Sequence, residues 1–168
     1  MVRGCVLATA LVLGASAPAH AQEDPYEPGV GIAIEAVAGI EGAAGGPEDG
    51  IRRTRTVLLA GPEANLWGHL LSLFARVEVE PDASIGADFR YGYRVIDPLV
   101  IHGSAAAAFY PGTLFGAGLG IAYRPRLSDL VEMGVGPYST IFFAGSDLPD
   151  EIPAIWQLVV AVSIHIWP

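Results

Sequence analysis

Ile85-Gly86-Ala87-Asp88-Phe89-Arg90-Tyr91-Gly92-Tyr93-Arg94-Val95 (IGADFRYGYRV) sorts its side chains by parity. Ile85, Ala87, Phe89, Tyr91, Tyr93 and Val95 fall on one side of an extended chain, and Gly86, Asp88, Arg90, Gly92 and Arg94 on the other. Wound as a helix, the same residues would scatter Arg and Phe around every side. A period of two marks a β-strand with one apolar face and one polar face.

The rule extends in both directions. Val30–Glu41 places Val30, Ile32, Ile34, Ala36, Ala38 and Ile40 opposite Gly31, Ala33, Glu35, Val37, Gly39 and Glu41. Phe115–Arg124 sets Phe115, Ala117, Leu119, Ile121 and Tyr123 against glycines, Ala122 and Arg124. Trp156–Trp167 aligns Trp156, Leu158, Val160, Val162, Ile164 and Ile166. Four weaker segments complete the set: Arg53–Ala60, Leu66–Glu80, Leu99–Phe109 and Leu130–Ala144. The first half of Leu66–Glu80 is also compatible with a helical turn. Gly136-Pro137 predicts a bulge or bend.

Eight alternating segments, most of ten or more residues, match strands that cross a bilayer, which need about 9–11 residues when tilted by about 45°. The count is even, as closed antiparallel barrels of this kind require. Numbered from a periplasmic start, the outward connections are Gly42–Arg52, Pro81–Ser84, Tyr110–Thr113 and Gly145–Pro153. The inward ones are Gly61–Asn65, Ile96–Pro98 and Pro125–Asp129. The two longest face outward, the asymmetry of outer-membrane barrels. The expected fold is therefore all-β, a closed antiparallel eight-stranded up-and-down transmembrane barrel.

Composition decides which face meets what. The 168 residues are 52% hydrophobic and only 16% charged, with a formal net charge of −9 and no Lys. A disordered chain and a nucleic-acid binder are both excluded: the first needs low hydrophobicity, the second clustered Lys and Arg. A soluble barrel would carry about 25–35% charged residues on its exterior. The polar face here is mostly Gly and Ala, with Glu35, Arg76, Glu78, Asp88, Arg90, Arg94, Arg124 and Glu132. Small residues suit the crowded interior of an eight-stranded barrel. Charges of both signs placed there must pair, because an unpaired buried ion costs several kcal/mol or more. The expectation is a salt-bridged lumen built from those eight residues. The outward aromatics Phe89, Tyr91, Tyr93, Phe109, Phe115, Tyr123 and Trp156 then read as belt residues at the membrane surface.

Arg3, the apolar run Cys5–Ala15 and the small-x-small triplet Ala19-His20-Ala21 have the layout of a cleaved secretory signal peptide. Residues 1–21 are read as that leader and residues 22–168 as the barrel domain. The leader takes the one cysteine with it, so the mature chain has neither disulfide nor thiol chemistry.

In layout the mature chain resembles the small eight-stranded outer-membrane barrels of Gram-negative bacteria, the OmpA/OmpX type. The resemblance implies an outer-membrane location, contact with outer-membrane lipid and handling by the barrel-assembly machinery. It also implies a terminal aromatic read by that machinery. Here the sequence ends Ile166-Trp167-Pro168, with Trp167 on the interior parity. Eight strands leave no aqueous channel, so a structural or surface-interaction role is expected rather than an open pore.

No phosphate loop, zinc spacing, dinucleotide fingerprint or nucleophile elbow is present. No cofactor, metal or nucleic-acid partner is expected. His102-Gly103-Ser104 places a base and a hydroxyl on one strand face, the pairing used in acyl transfer. The outer-membrane lipid A deacylases resemble this with a His-x-Ser pair. Theirs is followed by Asn, where Ala105 stands here, and no carboxylate arrives on Phe115–Ala122. Two alternatives stay beside the main reading: a lipid-modifying acyl hydrolase using His102 and Ser104, and a soluble lipocalin-like periplasmic binder with an apolar cavity.

Overall fold

The computed structural model describes residues 28–45, 49–80, 83–148 and 150–168. The leader assignment falls outside them. The described chain forms β1 (Gly29–Ala44), β2 (Gly50–Leu66), β3 (His69–Glu80), β4 (Ser84–Ile96), β5 (Leu99–Tyr110), β6 (Leu114–Tyr123), β7 (Arg126–Ser128), β8 (Val131–Ala144) and β9 (Ala154–Ile166).

Strands β1 to β6 pair antiparallel with their sequence neighbours. The three-residue β7 forms only a short hairpin with β8, and β6 passes over it to pair with β8. β8 pairs with β9, and β9 returns to β1. The result is a closed up-and-down barrel of eight strands, each 10 to 17 residues long. Closure leaves the main ladders without free edges.

Parity sets the faces. On β4, Asp88 is 0% exposed while Phe89 beside it is 48% exposed. The same alternation runs along β1, β3, β8 and β9, where Ile34, Leu73, Val135 and Val162 stand outward. The apolar face is the exterior and the charged face is the interior. This is the reverse of what a lipocalin-like binder with an apolar cavity requires.

Connections at one end of the barrel are residues 45–49, 81–83, 111–113 and 145–153. At the other end, Trp67-Gly68 and Asp97-Pro98 make two-residue turns, and residues 124–130 hold β7. The longest connection, 145–153, is at the expected end, but 124–130 is longer than 45–49, so the two longest do not share one end, and several boundaries move. Gly61–Asn65, expected as a turn, lies inside β2. The turn is Trp67-Gly68, where φ is 54° and 87° and Asn65 Oδ1 accepts the Gly68 N–H at 3.0 Å. Positive φ at both central residues matches the twist of the flanking strands. No helical turn forms over Leu66–Phe74. Most of Gly42–Arg52 is strand rather than loop.

Two Gly-Pro dipeptides, Gly61-Pro62 and Gly136-Pro137, sit in mid-strand for one reason. Pro cannot donate to a ladder. Pro62 lies where the β2–β3 ladder skips, while β2 still pairs with β1 through Ile32↔Pro62. Pro137 lies where the β6–β8 ladder skips, while Pro137↔Val160 keeps β8 on β9. So Gly136-Pro137 makes no bulge against β9. The neighbouring glycine lets the backbones close up: a Cβ at Gly136 would sit 1.8 Å from the Ile121 carbonyl oxygen.

The interior is filled. Ala33, Val37, Val57, Leu59, Phe74, Tyr138 and Val159 form one apolar cluster. A second, toward the long-loop end, includes Ala108, Leu114, Phe142 and Ile155, and the 145–153 connection adds Ile152 and Leu148 to it.

Candidate functional site

The chemistry-bearing residues of this chain gather inside the barrel. Six carboxylates (Glu35, Glu41, Glu63, Glu78, Asp88, Glu132) and five guanidinia (Arg55, Arg76, Arg90, Arg94, Arg124) are buried. All eight residues read from the sequence as lumen residues are among them, and they fall into three groups.

The middle group centres on Arg90 of β4. Its Nη1 donates to both oxygens of Glu35 at 3.0 and 2.8 Å, and its Nε reaches Asp88 Oδ1 at 3.2 Å. Its guanidinium lies between the rings of Tyr138 (4.7 Å) and Phe74 (5.1 Å). Tyr138 Oη donates to Asp88 Oδ2 at 3.2 Å. Charge-assisted and bidentate bonds of this kind are the strong ones, and a cation between ring faces adds to them.

At the short-turn end, Arg94 Nη2 donates to Glu132 at 2.9 and 3.0 Å, and Nη1 donates to Asp97 at 3.0 Å. Arg124 Nη2 bridges Glu63 (2.7 Å) and Glu132 (3.2 Å). Toward the long-loop end, Arg55 pairs with both Glu41 and Glu78. Arg53 reaches Glu41 at 2.9 Å, and Ser84 Oγ donates to Glu78 at 2.9 Å. Among the described residues no carboxylate pairs with Arg76, which donates to Gln157 Oε1 at 3.3 Å and lies 5.7 Å from the Phe142 ring centre, while Gln157 Nε2 donates to Glu41.

Glu41, Arg55, Glu63, Gln157 and His165 belong to this network and are missing from the sequence-derived set. Glu41 and His165 already lie on the interior parity. Glu63 was hidden by the false turn at Gly61-Pro62, and Arg55 by the weak alternation of Arg53–Ala60: the odd parity of β2, carried through the Gly-Pro, places Arg55, Val57, Leu59, Glu63 and Asn65 inside.

His102 and Ser104 both point into the lumen, and each meets Tyr138. Ser104 Oγ lies 2.6 Å from Tyr138 Oη, and the His102 ring stacks 5.4 Å from the Tyr138 ring. A different trio has the connectivity of an acyl-transfer triad. His165 Nε2 is 2.8 Å from Ser163 Oγ, and His165 Nδ1 is 3.0 Å from Glu63 Oε1. That Glu63 also accepts from Arg124 and from Ser72 Oγ at 2.8 Å. The adjoining cavity, lined in part by Ser163, His165 and His102, is about 40 Å³, room for a few waters and not for an acyl substrate. The trio is saturated by its neighbours and reads as part of the plug. No cluster of three or more His, Cys, Asp or Glu able to hold a metal occurs among the described residues.

No family model matches this chain, and no curated protein matches it. Among solved structures it is similar to Neisserial surface protein A (NspA). The match has 10% sequence identity and a TM-score of 0.45, and covers 80% of this chain and 96% of NspA.

Proposed function

We propose that this protein is an integral outer-membrane barrel with a structural or surface-interaction role, and that it is neither an open pore nor an enzyme. One observation carries the reading: large apolar side chains such as Ile34, Leu119 and Val160 face out on all sides, while the ion pairs are sealed within. In water that exterior would be an apolar patch far beyond what soluble monomers expose. In a bilayer it is the lipid-facing band. The short-turn end then faces the periplasm and the long loops face outward. The plug of Arg, Glu, Tyr and Phe closes the lumen to solutes. Outer-membrane lipid and, during biogenesis, the barrel-assembly machinery are the partners this reading implies.

The test is fractionation with gel analysis. The chain is expected in the outer-membrane fraction, to need detergent to stay monomeric, and to migrate differently before and after boiling. In planar bilayers it should give no conductance steps. Overexpression should leave lipid A acylation unchanged. Recovery as a detergent-free periplasmic monomer would contradict the membrane reading, and a shortened lipid A would contradict the non-enzymatic one.

A further inference from the structure

The exterior is not evenly packed. One hydrogen-bonding row runs Tyr91↔Gly103↔Leu119↔Ser139↔Leu158 across β4, β5, β6, β8 and β9. Two small residues alternate with three large ones, so the wall dips at Gly103 and at Ser139. The dips open into a groove of about 510 Å³ whose lining includes all five residues together with Ile101, and which also touches His102 and Tyr138 of the lumen-facing set. Leu119, 74% exposed, stands as a ridge between them.

We infer that this groove holds one acyl chain of a phospholipid in the periplasmic leaflet. The inference rests on the membrane placement proposed above. The groove is continuous with the apolar exterior, so hydrocarbon is its surrounding solvent. An unfilled concavity there forfeits dispersion contacts on one side, and a flexible chain restores them. The leaflet follows from what lies toward the short turns. Tyr93 pairs directly with His69, which follows the Trp67-Gly68 turn. His69 Nδ1 lies 2.7 Å from Tyr91 Oη, and its ring is 5.1 Å from that of Tyr93. Amphipathic rings of this kind sit at headgroup level. The groove therefore leads from a polar belt into the hydrocarbon, the shape of one lipid with its head at His69, Tyr93 and the Tyr91 hydroxyl and its tail along Ile101 and Gly103.

The test uses proteoliposomes doped with a phosphatidylethanolamine that carries a diazirine in its acyl chain. After photolysis, adducts are mapped by mass spectrometry. Adducts on Ile101, Leu119 and Leu158 are expected several-fold above those on Ile34, Leu58 and Val77 of the opposite wall. Gly103→Leu is expected to abolish the enrichment. A Cβ at Gly103 meets nothing closer than Leu119 Cδ2 at 3.6 Å, so the barrel should still form and remain heat-modifiable. Ser139→Leu serves the same purpose from the other dip. Adducts spread evenly around the wall would overturn the lipid site and leave the membrane placement standing. Adducts on no outward residue would overturn the placement, and the site with it.

Discussion

Arg90→Ala is expected to destabilise the folded barrel by about 3–5 kcal/mol, the cost of removing one partner from a buried ion pair. The loss is large because of what stays behind. Glu35 and Asp88, both nearly inaccessible, would face each other with their shared cation gone. Tyr138 still donates to Asp88, but Glu35 would lose the guanidinium that binds both of its oxygens. The Phe74 and Tyr138 rings would also lose the guanidinium between them. Urea unfolding in vesicles, followed by tryptophan fluorescence, measures the change. The triple variant Glu35→Gln, Asp88→Asn, Arg90→Met removes all three charges together. It should recover much of the loss, because replacing a whole buried ion group by neutral residues of similar volume is often near neutral. An Arg90→Ala barrel as stable as wild type would mean that the guanidinium is hydrated rather than sealed.

Phe89→Arg carries the other large effect, with the opposite logic. Phe89, expected from the sequence to be a belt residue at the membrane surface, lies instead near the middle of β4 on the outward face, between Leu73 and Ala105. An Arg facing lipid near the bilayer midplane costs about 2–4 kcal/mol. The same change on a water-exposed surface usually stays within about 0.5 kcal/mol. Refolding into vesicles, with Phe89→Leu as the apolar control, reads the difference. The two variants thus exchange the ordinary rule: deleting a charge inside is costly, and adding one outside is costly.

The strands were legible wherever side chains alternate without interruption. Ile85–Val95 gave its faces, its interior charges and nearly its bounds, because large apolar and charged residues strictly exchange places. Where the chain carries Gly-Pro, local chemistry misleads. Gly61-Pro62 has the composition of a turn, yet β1 pairs across it and holds it extended. The real turn at Trp67-Gly68 places a bulky residue at positive φ, which no local propensity favours. That one misplacement concealed Glu63, and with it the link that ties Arg124 and His165 to β2; Arg55 stood in Arg53–Ala60, whose two faces differ too little in polarity to show which is inside. The pairing of partners was not legible at all. Arg90 with Glu35 and Arg94 with Glu132 join strands far apart in sequence, and only closure brings them together. Likewise, Ser163 and His165 stood on one face of the last strand, but Glu63 reaches them only across the lumen.

That the apolar face of the barrel meets lipid is tested most directly by site-directed spin labelling. The described residues contain no cysteine, the chain's one being Cys5, so single cysteines at Leu73, Ile141 and Val162 can carry a nitroxide on the outward face, with Ala106→Cys as the inward control. In phospholipid vesicles the three outward labels are expected to collide with dissolved oxygen and to be shielded from a water-soluble nickel chelate, while the inward label is shielded from both. Outward labels that collide freely with the nickel chelate would contradict it.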